Sequence, residues 1–352
     1  MPFNKTSNVA QFGGADWNNL IKKVSNTTPE QAQRIALCDP EITFFFYCRD
    51  YMVLEGKGTF LPGDSVFFSG NPWMGSAPQC DVYEKDFFTI GYVGVNTNNF
   101  GNAGCFTLND GRQFFDIASI FAANINLDPN TQKPVLYFNP QVNAVLNGPI
   151  NYVKQLQELG ITVLLTVLGN HQNAGWSCFA NESEAMAFAQ QLSDCVMKYG
   201  LDGIDIDDEY STCTTNNTSL IMVTHAMRQL MPGKIISKAL FQDIQYFQAE
   251  WKGIRLCDTL TYGWEMSYGG SDGKKRLEPY VNAGMQKNQL SVGVWENADS
   301  PQNVQQLTQS MMDNNFGGMM VFGVTAQSQD FLTHISTVFY KEDTTTKPNC
   351  LQ

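Results

Sequence analysis

The sequence predicts an α/β protein: a TIM (β/α)8 barrel with an N-terminal β-rich extension. Three observations carry this. From residue 87 onward, short apolar runs alternate with amphipathic helical stretches, eight times over about 250 residues, the arithmetic of a TIM barrel. Runs such as ITVLLTV are continuously apolar, as in a parallel sheet buried on both faces. No G-x-G-x-x-G or P-loop is present, which argues against a doubly wound nucleotide-binding sheet. The expected domains are 1–86, an extension of mixed helix and β-hairpins; 87–341, the catalytic barrel; and 342–352, a polar, loose tail.

The expected barrel strands are residues 88–95, 117–125, 162–168, 203–207, 234–240, 259–264, 290–295 and 318–324. Helices are expected over 142–159, 183–199, 219–231, 304–314 and 330–340, with glycine closing two of them at Gly160 and Gly200. The Asn- and Gly-rich stretch 96–113 does not read as a helix. Before the barrel, helices are expected over 17–24 and 29–37, the latter capped by Thr28 with Pro29 in its first turn. ITFFFYC, TFL and SVFFS read as short strands with a hairpin at GKG. The run Phe44–Phe46 needs a buried partner, and the barrel is the expected one.

Composition limits the function. The chain of 352 residues is 43% hydrophobic and 16% charged, which excludes a disordered chain. Its net charge of −12, with no basic run, excludes nucleic acid and anionic membrane surfaces as expected partners. No apolar stretch is long enough to span a membrane, and the first residues hold no signal core, so the chain is expected to be cytosolic or to have lost a signal. Nine cysteines leave two readings open, up to four disulfides or buried thiols. Three scattered histidines and no close cysteine pair give no metal site, and no cofactor is expected. Asn4, Asn26, Asn181, Asn216 and Asn217 lie in N-x-S/T triplets.

One segment carries chemistry: LDGIDIDDEY, residues 201–210, with five carboxylates in eight residues on a strand pattern. In a strand, Asp205, Asp207 and Glu209 share one face while Ile204, Ile206 and Asp208 share the other. The three acids then climb toward the C-terminal mouth, where TIM-barrel active sites sit. Burial and like-charge repulsion are expected to raise at least one pKa. Glu209, the highest, is placed to donate a proton near neutral pH, with Asp207 and Asp205 sharing one below it. A calcium loop or a solvated acidic turn is the plain alternative, but calcium loops do not use apolar strands.

This segment resembles the signature of glycoside hydrolase family 18. IGYVGVNTNN, DIASIFAANIN, VLLTVLGNHQNAG, QLSDCVMKYGLDGIDIDDEY and MPGKIIS are similar to the endo-β-N-acetylglucosaminidases of the endoglycosidase H type, over about Phe88 to Tyr340. The resemblance implies cleavage of the β-1,4 bond in the di-N-acetylchitobiose core of N-linked glycans, with retention and with the substrate's own acetamido oxygen as nucleophile. It implies Glu209 as general acid then base, Asp207 as the group that orients the acetamido, and Asp205 as support for Asp207. A chitinase of the same family and an inactive glycan-binding protein are the rivals; the intact acids disfavour the second.

Further candidates for substrate contact are Asn124, Asn170, Tyr210, Tyr262, Trp264, Glu265 and Tyr268, with Trp176, Trp295 and His171 behind them. Glu265 departs from the resemblance, which has an amide there; an extra acid is expected to raise the pKa of the site or change the sugar bound. N-linked glycans or glycoproteins are the expected partners, a monomer the expected state, and the substrate class favours secretion.

Overall fold

A computed structural model describes residues 3–10, 16–72, 75–348 and 350. The chain forms two compact units, Met1–Phe87 and Phe88–Gln352.

In the second unit eight parallel strands close a barrel: Phe88–Gly94, Ile117–Leu127, Thr162–Leu168, Gly203–Asp207, Ile235–Leu240, Tyr262–Glu265, Leu290–Trp295 and Gly318–Phe322. Closure runs through the first strand, with Ile90 beside Ile117 on one edge and Phe88 beside Gly318 on the other. The strands are almost wholly buried because they face packed side chains inside and helices outside. The loop after the first strand forms no α-helix, as its Asn and Gly content predicts; it makes a 3-10 turn, Phe100–Gly104.

Several details differ from the sequence reading. The helix expected over 142–159 is two helices, Pro140–Asn147 and Tyr152–Glu158, because Gly148-Pro149 breaks it. A helix at Gly273–Asn282 was hidden by its glycine, charges and Pro279. The second strand continues into an antiparallel hairpin with Pro134–Tyr137. The tail is not loose: Thr345–Thr346 pairs with Phe106–Thr107, and Cys350 is disulfide-bonded to Cys105. A second disulfide joins Cys178 to Cys213, so neither reading of the cysteines holds alone.

The first unit is a five-stranded antiparallel sheet in the order Phe3–Ala10, Gly75–Lys85, Phe44–Cys48, Ser65–Phe68, Leu20–Val24. The helix Pro29–Leu37 begins at a full capping box between Thr28 and Gln31. The helix expected over 17–24 is a short turn and an edge strand, with Lys22 and Lys23 blunting the free edge. The Phe44–Phe46 run has packing partners inside this sheet. Phe44 and Phe46 pack with Phe60, Val66, Phe68 and Val82 on one face. Phe45 stacks on Tyr83, centroids 4.8 Å apart, and meets Phe67 at 5.3 Å on the other.

Phe46→Ala is therefore expected to cost about 3–5 kcal/mol within this unit. Hydrogen exchange across the strand Phe44–Cys48 reads it: protection there falls steeply.

Candidate active site

The fourth barrel strand, Gly203–Asp207, alternates as its sequence requires. Asp205 and Asp207 point into the barrel and are buried. Glu209 lies just beyond the strand and is half-buried.

Asp205 is the hub. Its Oδ2 accepts from Tyr92 Oη at 2.6 Å and from Thr166 Oγ1 at 2.9 Å. Its Oδ1 accepts from Ser237 Oγ at 2.7 Å and Trp264 Nε1 at 3.1 Å. Trp264 Nε1 also lies 2.6 Å from Tyr92 Oη. Four other barrel strands thus aim donors at one carboxyl. Burial raises the Asp205 pKa, and the four hydrogen bonds oppose it without cancelling it.

Asp207 has no such ring of donors, and its Oδ1 is buried without a hydrogen-bond partner. Its pKa is raised well above the usual carboxylate range, first by burial, then by the like charges of Glu209 and Asp205. Glu209 is also raised, chiefly by burial, with Lys238 pulling the other way. Two adjacent carboxyls with raised, unequal environments are what acid–base chemistry near neutral pH requires.

The loop carrying Glu209 is stitched to the loop after the third strand. His171 N donates to Tyr210 O at 2.5 Å, Thr212 N donates to Gln172 O at 2.9 Å, and Cys213 is tied to Cys178. The loops approach so closely that a Cβ on Gly169 would lie 2.1 Å from Glu209 O, so only glycine fits. Tyr210 adopts a left-handed backbone, φ 57°, and is 55% exposed at the rim.

Around the acids lies an aromatic floor. Tyr268 stacks on Phe322 at 5.5 Å and meets Trp295 edge-on at 6.0 Å. Phe322 also meets Phe121 at 5.3 Å, and Phe121 meets Tyr92 at 5.8 Å. The Tyr268 phenol is held well above its ordinary pKa, first by burial and then by Asp207 and Glu209, so it remains a donor beside them.

The sequence candidates fall into four groups. Asp205, Asp207, Glu209, Tyr268 and Trp264 converge, although Trp264 is fully buried and faces Asp205 rather than the open mouth. Tyr262 and Trp176 do not belong with them: both are fully buried, Tyr262 against Phe88 and Trp264, Trp176 with Nε1 donating to Val167 O at 2.8 Å. Asn124 donates to Leu168 O and Gly169 O, and Asn170 donates to Asn126 Oδ1, so their amide nitrogens brace loops. Glu265 is not a loose extra charge; Arg276 pairs with one oxygen and Ser267 bonds the other. The sequence reading missed Tyr92, Phe121, Phe322 and Lys238; aromatics near the ends of strands one, two and eight were the available signal. Among the described residues no His, Cys, Asp and Glu group is arranged to hold a metal, and no helix is long and apolar enough to cross a membrane.

Comparison with known proteins gives the family. The family described as the endo-beta-N-acetylglucosaminidase EndoS TIM-barrel domain matches residues 115–294. An endo-beta-N-acetylglucosaminidase of Flavobacterium sp. is 35% identical over 267 residues, 73% of this chain and 82% of its own length. Endo-beta-N-acetylglucosaminidase F1 of Elizabethkingia meningoseptica is 29% identical over 68% of this chain and 72% of its own. In fold, the chain resembles Bacteroides thetaiotaomicron EndoBT-3987, solved with Man9GlcNAc2Asn, at TM-score 0.63 and 20% identity, covering 84% of this chain and 81% of that one. The chain belongs to the endo-β-N-acetylglucosaminidases of glycoside hydrolase family 18. It is a glycoside hydrolase with that activity.

The raised Asp207 carboxyl has a consequence for stability. Its native pKa exceeds its unfolded value of about 3.9, so the native state holds more protons above that pH. Its contribution is fully present below about pH 4 and is lost as pH rises through the native value. Asp207→Asn is therefore expected to flatten the fall of stability on the alkaline side of pH 4. Denaturant midpoints measured from pH 4 to 8 check this; parallel wild-type and mutant curves would contradict it.

Proposed function

We propose that the enzyme hydrolyses the β-1,4 bond of the di-N-acetylchitobiose core of N-linked glycans, with substrate assistance and retention of configuration. The observation that carries it is the buried, unpartnered Asp207 Oδ1 between a fully bonded Asp205 and a raised Glu209. Asp205 is held by protein donors, whereas Asp207 is left an oxygen for a group that arrives with the substrate. An acetamido N–H is such a group.

In this reading Glu209 gives its proton to the glycosidic oxygen as the bond to the anomeric carbon breaks. The acetamido carbonyl oxygen bonds that carbon on the opposite face, forming an oxazolinium, and the released GlcNAc side leaves with a free hydroxyl. Asp207 accepts the acetamido N–H and balances the positive charge. The Tyr268 hydroxyl, kept protonated by its burial and the neighbouring acids, holds the acetamido oxygen as it turns toward the anomeric carbon. Glu209, now ionised, takes a proton from water as that water opens the oxazolinium. Two displacements restore the original configuration. The aromatic floor of Phe121, Trp295 and Phe322 offers apolar faces to the pyranose. All these residues come from one barrel, so a single chain suffices, and two disulfides suit an oxidising compartment.

Mass spectrometry of a high-mannose glycoprotein after incubation tests the cut: one GlcNAc left on asparagine supports it, and activity confined to chitin oligosaccharides overturns it. Glu209→Gln is expected to fold normally and lose more than about 10²-fold in kcat, since an amide has no proton to give. Asp207→Asn is expected to slow oxazolinium formation more than its capture. Preformed sugar oxazoline should then remain a donor for transfer to a GlcNAc acceptor, whereas wild-type hydrolysis rates in this variant would remove Asp207 from its role.

A further inference from the structure

One buried cation stands behind the acid ladder. Lys238 lies on the fifth strand in register with Ile206, on the outer face of the barrel wall and 2% exposed. That face ordinarily presents apolar side chains to the helices. The Lys238 ammonium pairs with Asp243 and donates to Ala239 O at 2.8 Å. Asp243 also accepts from Tyr280 Oη at 2.6 Å. Burial works against the charge on Lys238, yet Asp243 and Asp208 hold its pKa above the ordinary value.

A buried ion pair is a poor source of stability, because an apolar pair of similar volume does as well or better. Another reason for the lysine lies in its surroundings. Asp208, on the same outer face as Ile206, is bonded by Ser177 Oγ at 3.2 Å. Asp207 and Glu209 lie across the strand. From the sixth strand and its loop come Glu265, paired with Arg276, and Tyr268; from the helix Gly273–Asn282 comes Tyr280; from the first strand, Tyr92. Lys238 opposes the rise in pKa at Asp207, Asp208 and Glu209 alike, whereas Arg276 is committed to Glu265.

We propose that Lys238, pinned by Asp243, is a positioning residue for the reaction: the counter-charge that sets the protonation of the Asp207–Glu209 pair from the far side of the strand. It rests on the roles assigned above to Glu209 and Asp207. Lys238 touches no substrate. Without it, both acids would hold protons too tightly, and Asp207 would reach its ionised form only at higher pH. Asp243 tempers the same field, so the two halves of the ion pair act in opposite directions.

The test is the pH profile of kcat/KM on a glycopeptide for the full chain and three variants. Lys238→Met is expected to move both limbs toward higher pH by about one unit. Asp243→Asn is expected to move them toward lower pH, because the lysine is then unmasked. Lys238→Arg, which keeps the charge, is expected to hold the limbs near wild type. Folded Lys238→Met and Asp243→Asn variants that lose activity with unmoved limbs would overturn the proposal and leave the pair a structural one. If Lys238→Met does not fold, Lys238→Gln, which removes the charge and keeps a donor for Asp243, takes its place: an alkaline shift supports the proposal and unmoved limbs end it. Glu209→Gln separates the two readings. If that variant stays active, the site assignment fails; if it is inactive while the limbs stay put, only Lys238 loses its role.

Discussion

The organisation of the site depends on one carboxylate whose every lone pair is spoken for. Asp205 sits inside the barrel with donors from strands one, three, five and six around it. Stacking a second and third acid above it opposes folding through desolvation and repulsion. The hub makes this tolerable by fixing Asp205 in one orientation, so the acids above it have a rigid base. Its donors stand on different strands, so they meet at one point only when the barrel is closed. Fold and site are therefore coupled: the register that seats Asp205 beside Thr166 and Ser237 also aims Asp207 at the mouth.

Above the hub the protein grows more open by stages. Asp207 is enclosed but unpartnered, Glu209 half-buried, and Tyr210 largely exposed. This gradient separates the three acids chemically although they are the same kind of group. The loop that carries Glu209 would be free to wander, since it lies past the last strand hydrogen bond. The disulfide, the two backbone bonds to the neighbouring loop and the bare Gly169 backbone hold it instead.

Much of this was legible in the sequence where a local pattern carried it. The period-two alternation of GIDID placed Asp205 and Asp207 inward, and the third, fourth and seventh strands begin and end where their apolar runs do. Depth was not legible. Tyr262 and Trp264 share a strand face, so both point inward; that Tyr262 is buried against Phe88 and Trp264 bonds Asp205 depends on barrel stagger, which no single strand contains. Pairings distant in sequence were equally hidden. Glu265 reads as an extra acid until Arg276 is brought to it, and the tail reads as loose until Cys105 meets Cys350. Lys238 in KIISKAL resembles any strand lysine until the fold buries it against Asp243.

Asp207 is held protonated above the ordinary carboxylate range first by its burial and then by the like charges of Glu209 above it and Asp205 below. Carboxyl ¹³C NMR of aspartate-labelled enzyme, titrated from pH 3 to 9, measures this directly. Among the aspartates that titrate above the ordinary carboxylate range, one resonance is expected to vanish in Asp207→Asn and to move toward lower pH in Glu209→Gln, where a neighbouring negative charge is gone. If every aspartate titrates in the ordinary range, or every raised resonance survives in Asp207→Asn, Asp207 is not a raised group.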